Sequence, residues 1–479
     1  MDVPALRRAH ATWLLAASLI AGVTCGGPAV ASRRQAPPAA AVRQALAAAR
    51  DEARALAANG LAPSVPTAAL RARDLALTLE DTLDTLPAAA RLRVAGAIRA
   101  IVLSAWRLDA AGTAGDLAQI DHALGRFSAA VAVIEQALPA EAPGATALSV
   151  LTPGSTATPD FARQVQPILR ARCAECHDRF GPTDALAAAQ AQYAAPAIRD
   201  QLLREAMPPW FVDPEGPPVA GARTMSAREL DTLLRWASQA TAGGPAPVTA
   251  ATVEPATFGA GTPTRIVDVP ATRLEPGRAG TRASLTIPSG LTEDAWVRVV
   301  DVLPSDSSLL RAARVSIEGG PVVAAWFVGE TPVSAPSGSA FRIPAGATLK
   351  VELHFRPLPP GSAARNVTAR LGLYPEAAPA SGRGLVARVF DDALTLDADA
   401  RVVAVRVTQA EPLETVDIVA TTPSGQSASV LRLRSPYPGW DRRYWLTTPV
   451  PLPRGSSLSV HVSGENPSVE VLLDETPTP

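Results

Sequence analysis

Apolar positions in the first third of the chain recur at helical spacing. Val42, Leu46, Ala49, Ala53 and Leu56 form one stripe, and Asn59-Gly60 with Pro63 beyond it reads as a helix stop. Leu75, Leu79, Leu83 and Leu86 form a second stripe. Pro87 suits the first turn of a third helix running to about Asp109, Gly112 to Gly115 is read as a break, and a fourth helix is predicted over Asp116 to Leu138. Short connections between four such helices predict a bundle over residues 36–138. Further on, Leu230, Leu233, Leu234 and Ala237 make an apolar stripe behind a capping box, Ser226-Ala227-Arg228-Glu229. After residue 257 the period changes. Trp296 to Val299, Val322 to Val328, Leu349 to Arg356, Val367 to Leu373, Val402 to Val407, Val416 to Thr421 and Leu458 to Val462 read as strands between turn residues. They predict two successive antiparallel β-sandwich lobes, 257–380 and 381–479, breaking near Ser381-Gly382. Residues 139–159 and 245–256 lack periodicity, are rich in small residues and proline, and read as linkers.

A length of 479 residues is more than one core serves and calls for three or four domains. The 47% hydrophobic content supports real cores, and 46 prolines with 33 glycines fit many turns. A net charge of -1 gives no reason to expect nucleic acid or an anionic membrane surface as a partner. Arginine supplies nearly all the positive charge, Lys350 being the only lysine, a bias that reads as genomic composition rather than a binding surface.

Arg7 and Arg8 precede an apolar run from Trp13 to Val23, too short to span a bilayer but suited to export. Residues 1–31 are therefore expected to be a signal peptide ending in Ala29-Val30-Ala31. A second reading takes Gly22-Val23-Thr24-Cys25 as a lipid-attachment site, which would give the protein a membrane anchor at Cys25. Either way the expected location is the periplasm or cell envelope. No later apolar stretch is long enough to cross a bilayer.

The chemistry concentrates in Cys173-Ala174-Glu175-Cys176-His177. Two thiols at this spacing can bond to the vinyl groups of a haem, and the next residue then brings its imidazole under the iron. A zinc site would need more Cys or His ligands nearby, and the remaining cysteine, Cys25, lies far upstream. A redox dithiol would be expected in a βαβ context, which the sequence lacks. Met207, in Met207-Pro208-Pro209-Trp210, is the expected distal ligand, and Met225 is the rival thioether in the same segment. His122, on the fourth predicted helix, has no ligand-type neighbour in the bundle and reads as an ordinary histidine. Charges over 160–244 are nearly balanced, nine Arg against ten Asp plus Glu, so no strong electrostatic steering is expected.

Phe161, Pro167-Ile168-Leu169, the Cys173 to His177 motif, the Met207 run and the Ser226 helix with Trp236 resemble the small all-α cytochrome c domain often fused to copper type II, ascorbate-dependent monooxygenase-like proteins of bacteria. The resemblance covers residues 160–244 and implies one covalent haem c with His177 as proximal and Met207 as distal ligand. Downstream, Leu291 to Val297, Ile343-Pro344-Ala345-Gly346 before Leu353-His354-Phe355, and Trp440 through Pro453-Arg454-Gly455 to Asn466-Pro467 are similar to the two-lobed peptidylglycine-hydroxylase-like monooxygenases. That family implies two copper sites. His354 matches one ligand, but the expected His-His pair is replaced by Leu310-Arg311-Ala312-Ala313, and the expected His-Met-His by Thr408-Gln409-Ala410.

Copper needs imidazole or thioether donors converging in twos and threes, and this half of the chain offers only His354 and His461. Both fall on the polar phase of their strands, so copper is not expected and the lobes read as a binding or scaffolding module. No nucleophile elbow, zinc-protease helix or phosphate loop is present either. The sequence thus predicts an exported monohaem electron carrier that hands single electrons to an unidentified redox partner protein. Two other readings stay open: an oxidoreductase whose β lobes hold a substrate, and an envelope sensor of redox state or a small gas.

Overall fold

Alanine sets the spacing of the first four helices, because its small side chain lets helix backbones approach closely. In the computed structural model, which describes residues 39–138, 157–173, 188–213, 216–239, 257–278, 280–358, 360–379, 384–411, 413–436, 438, 442–462 and 464–475, these helices are α1 (Ala39–Ala58), α2 (Val65–Glu80), α3 (Ala88–Ala114) and α4 (Leu117–Ala137). α1 buries Val42, Ala45, Leu46, Ala49 and Ala53, the face that its sequence period predicts. Contacts of α1 with α2 and α4, and of α3 with the same two, close the four into a ring. Two boundaries differ from the sequence reading. Leu83 lies in a short 3-10 turn after α2 rather than on its helix. α3 runs through Gly112, whose missing side chain is a packing requirement: a Cβ there would sit 2.6 Å from Pro66 Cγ. The helix stops instead at Gly115, with φ of 70° in the left-handed region that only glycine adopts cheaply. Asp116 then caps α4 by accepting from the Gln119 amide.

Three further helices, α5 (Gln166–Arg172), α6 (Ala188–Leu203) and α7 (Ala227–Gln239), join the same body. α6 includes Pro196 and reaches further back than a start near Ala197. Leu230, Leu233, Leu234 and Ala237 of α7 are buried in one hydrophobic cluster with α1 to α4, so the stripe closes on the bundle. The seam is polar at one point. Asp231 is 2% exposed, accepts from the Trp106 indole at 2.9 Å, and is flanked by Arg235 at 3.2 Å and Arg73 at 3.4 Å.

The β half has sixteen strands among the described residues. β1 (Arg265–Leu274), β2 (Arg282–Pro288), β3 (Ala295–Pro304), β4 (Leu310–Ile317), β5 (Val322–Phe327), β6 (Phe341–Ile343), β7 (Thr348–Phe355) and β8 (Arg365–Glu376) form two antiparallel sheets, ordered β1-β8-β3-β6 and β2-β7-β4-β5. β9 (Val386–Phe390), β10 (Ala393–Thr395), β11 (Ala400–Thr408), β12 (Thr415–Thr421), β13 (Ser427–Arg434), β14 (Arg443–Leu452), β15 (Ser457–Val462) and β16 (Ser468–Glu475) form two more, ordered β10-β15-β12-β13 and β14-β11-β16-β9. The seven predicted strands are all present. Two of those that sequence reasoning missed, β1 and β14, contain proline, and both lie at sheet edges where a missing N–H breaks no ladder.

β11 explains how the two pairs of sheets meet. Its run Val402 to Val407 is buried on both faces, as a near-continuous apolar stretch requires. Val402, Val405 and Val407 enter the core of the second pair, while Val403 and Ala404 enter that of the first, with a register shift between Val402 and Ala404. Arg406 faces Glu470 in register at 2.9 Å, Arg443 reaches the same carboxylate at 3.0 Å, and Arg443 also donates to the Val322 carbonyl of β5. Residues 37–479 form one compact unit. No helix among the described residues is long and apolar enough to cross a membrane. The expected signal peptide 1–31 with Cys25, the linker 245–256 and most of the linker 139–159 lie outside the described residues.

Replacing Gly112 with Ala is expected to destabilise the protein by about 1–3 kcal/mol, because overpacking against the rigid Pro66 ring outweighs the roughly 1 kcal/mol helix-propensity gain. Denaturant unfolding checks this, and an unchanged or higher midpoint would show that the α2–α3 contact yields freely.

Candidate functional site

Cys173 sits at the C-terminal end of α5, its amide donating to the Leu169 carbonyl at 2.8 Å. The turn before α5, Phe161–Val165, is wide, with Asp160 capping it through the Arg163 amide. Phe161 stacks at a tilt on Trp236 of α7, ring centroids 5.7 Å apart, and Cys173 packs half-buried against the helical core. Arg172 is tied to α7 as well. Its guanidinium pairs with Glu229 at 3.0 Å, and that carboxylate also accepts from the Ser226 amide, completing the predicted capping box with the Glu229 amide on Ser226 Oγ. The end of α5 is thereby held in place.

Cys176 and His177 lie outside the described residues. Met207 is half-buried in the loop after α6, whereas Met225 is 5% exposed and packs within the helical core. The two thioethers thus differ in burial. His122 is exposed on α4. His354 is half-buried on β7, between Arg282 of β2 and Ala312 of β4 in register, and His461 is exposed on β15 with Ser459 Oγ at 3.0 Å. Among the described residues no group of three or more His, Cys, Asp or Glu is arranged to hold a metal ion.

The loop carrying Met207 is fastened on both sides. Glu205 buries its carboxylate between Arg107 at 3.2 Å, Arg126 at 3.6 Å and Arg99 at 3.9 Å, all from the bundle, and accepts from the Ser435 hydroxyl at 3.1 Å. Burial alone would raise this carboxyl group. The charges of Arg107, Arg99 and Arg126, with the Ser435 hydrogen bond, outweigh it and hold the group below the usual carboxylate value. Both partners of that hydrogen bond are non-glycine residues in the left-handed region, Glu205 with φ of 56° and Ser435 with φ of 47°. Such backbones persist where surrounding contacts over-determine them. Beyond Trp210 the chain is added to the edges of two sheets. Val212 bridges Leu433 of β13, Val219 bridges Leu446 of β14, and Asp213, fully buried, takes Arg434 at 3.0 Å and Arg432 at 3.5 Å.

These ties border a partly open cavity of about 230 Å3 between the helical segment and the sheets. Among the described residues its charged lining is Arg172, Arg223, Arg298, Arg442, Arg443 and Glu330, while Pro208, Pro209, Trp210 and Trp445 supply flat walls. Arg442 stacks on Trp210, its guanidinium carbon 3.9 Å from the ring centre, and pairs with Glu330. Gly221, with φ of 70°, brings the loop against Val333 and Trp210; a Cβ there would meet them at 3.6 and 3.8 Å. Burial pushes the Arg443 guanidinium down, against the pull of Glu470. Burial and then the charge of Arg172 do the same to Arg223. Sequence reasoning missed all five arginines, because an arginine-rich composition hides the few that converge.

No family model matches this chain, and no curated protein sequence matches it. Among solved structures it is similar to a Paenibacillus xanthan lyase at 11% identity, over 49% of this chain and 28% of that one, with a TM-score of 0.14. It is also similar to A223, a turret protein of Sulfolobus turreted icosahedral virus, at 9% identity over 42% of this chain and 100% of that one, with a TM-score of 0.13. Bacillus subtilis oxalate decarboxylase is matched at 7% identity over 44% of this chain and 77% of that one, again with a TM-score of 0.13. The chain spans less than a third of the xanthan lyase. At these TM-scores the likenesses carry no functional argument.

Glu205→Gln is expected to cost about 3–5 kcal/mol near neutral pH, since it strands three arginines around a neutral amide. A depressed carboxyl contributes stability that is present above its unfolded value of about 4.3 and is lost as pH falls through the folded value. The variant should therefore lose less stability on acidification than the parent. Urea unfolding at neutral and acid pH checks both points, and parallel acid losses would sink the assignment.

Proposed function

We propose that this chain is an exported single-haem c-type cytochrome that carries electrons one at a time. Cys173 and Cys176 would hold the porphyrin as thioethers, with His177 and Met207 as the residues that would bind its iron. The observation that carries this reading is the shared cavity: Arg172, next to Cys173, and Pro208, next to Met207, line the same space although they are far apart in sequence. Cys173 is half-buried on an apolar surface that includes Phe161 and Ile168, which suits a porphyrin edge. Met225 is buried in the helical core, whereas Met207 is half-buried and adjoins Pro208, a lining residue of the cavity, which supports Met207 as the thioether ligand. A haem held by these residues would supply a one-electron centre with little room for substrate.

The β half serves this reading as a copper-free, monooxygenase-like binding or scaffolding module. Ala312 stands directly opposite His354 in register, so the strand that would bring a second imidazole to that place brings a methyl group. A second reading, in which the haem delivers electrons to a substrate held by the lobes, is favoured by one feature: the cavity is lined by both sheet pairs as well as by the helical segment.

Protein secreted by a host competent in cytochrome maturation should be coloured, show a low-spin His/Met spectrum, and contain one iron and no copper per chain. Met207→Ala should lower the midpoint potential and open the iron to carbon monoxide, while Met225→Ala should cost about 2–5 kcal/mol of stability and leave the spectrum unchanged. Colourless protein would end the haem proposal, bound stoichiometric copper would end the copper-free one, and a Met225-type response at Met207 would reverse the distal assignment.

A further inference from the structure

Both ends of the loop that carries Met207 are held by the end of one strand, the last residues of β13 and the serine that follows it. At the start of the loop, Glu205 accepts from the Ser435 hydroxyl at 3.1 Å. At its end, the Arg434 amide donates to the Phe211 carbonyl at 2.7 Å, the Asp213 amide donates to the Arg432 carbonyl at 2.9 Å, and Val212 bridges Leu433. The Arg434 guanidinium adds a bond to the fully buried Asp213 carboxylate at 3.0 Å. Ser435 cannot follow the loop if it moves, because its own amide is fixed on the Glu414 carbonyl at 2.7 Å.

α6 ends in a way that needs this grip. The Ala206 amide donates to the Gln201 carbonyl and the Glu205 amide to the Leu202 carbonyl, a closing pattern that puts residue 205 in the left-handed region and ordinarily takes glycine there. Glutamate stands there instead, with φ of 56°. Its carboxylate ties the turn to Ser435 as well as to the bundle arginines, which glycine could not do. A short segment whose two ends are pinned to neighbouring residues of one strand has few conformations open to it. We infer that the end of β13 sets where Met207 stands, with Ser435 and Arg434 as positioning residues that act through Glu205 and Asp213. The fixing of the loop is independent of the cytochrome reading; its consequence for iron rests on that reading. A ligand binds well only when its supporting shell holds it in place, so the β half tunes the haem by holding the loop.

The test compares full-length secreted protein with its Ser435→Ala, Ser435→Thr and Arg434→Gln variants, and with Ser427→Ala at the far end of β13 as control. Ser435→Ala should speed amide hydrogen exchange at Ala206, Trp210 and Asp213 by about tenfold, the loss of one hydrogen bond to a charged group, while α1 to α4 exchange as before. In coloured protein the same variant should weaken the methionine–iron absorption band and let the reduced haem take up carbon monoxide. Ser435→Thr should restore both, and Ser427→Ala should move neither. Unchanged loop exchange in both Ser435→Ala and Arg434→Gln overturns the inference, as does a loosened loop with an intact methionine–iron band. Colourless protein removes the cytochrome reading and leaves the exchange rates to decide whether β13 fixes the loop. Arg434→Gln, which keeps the backbone bond to Phe211, serves as the second variant should Ser435→Ala fold poorly.

Discussion

The carboxylate of Glu205 is the point on which three parts of the molecule converge. Three arginines from the bundle surround it, a serine from the β half donates to it, and it begins the loop that carries Met207 and Trp210. A buried charge set of this kind returns little net stability, because the cost of desolvation consumes most of the attraction. What it supplies is intolerance of alternatives. A shift of the loop would leave either an unpaired buried carboxylate or crowded arginines, and both are expensive. The left-handed backbones at Glu205 and Ser435 are sustained on these terms.

The same logic recurs at each seam. Asp231 joins α7 to the bundle, Asp213 joins the loop to β13, and Glu470 joins β11 and β14 to β5 through Arg443. Each of these acids is nearly or fully buried and is shared by at least two arginines. Hydrophobic burial supplies the driving force within the helical core and within each sheet pair; the acid–arginine sets decide how those bodies register against one another. That division of labour gives the arginine-rich composition a structural use. It also gathers Arg172, Arg223, Arg298, Arg442 and Arg443 around the cavity beside Trp210.

Strand addition completes the arrangement. β13 and β14 are edge strands of different sheets; Phe211 to Asp213 pairs with the first and Pro218 to Ala220 with the second. Backbone groups that would otherwise template association with another chain are covered from within. The helical segment with Cys173 and Met207 is thus anchored to the bundle by α7 and to the sheets by its own loop.

Much of the architecture was legible from local pattern. Helical stripes in α1 and α7, the Ser226–Glu229 capping box and seven strands follow from side-chain periodicity and hydrogen-bonding chemistry acting over a few residues, and these the chain states on its own face. Proline hid β1 and β14, since only the completed sheet shows that they lie at edges. The use of Gly112 as a contact rather than a break depends on Pro66, which is close only once α2 has folded against α3. The burial of Met225 beside the half-burial of Met207, the gathering of Arg172 and Arg223 at one cavity, and the shared burial of Glu205 all required distant segments to be placed together. Local sequence determines what each segment prefers, but burial and charge pairing are properties of pairs of segments, and only the tertiary structure decides which segments become pairs.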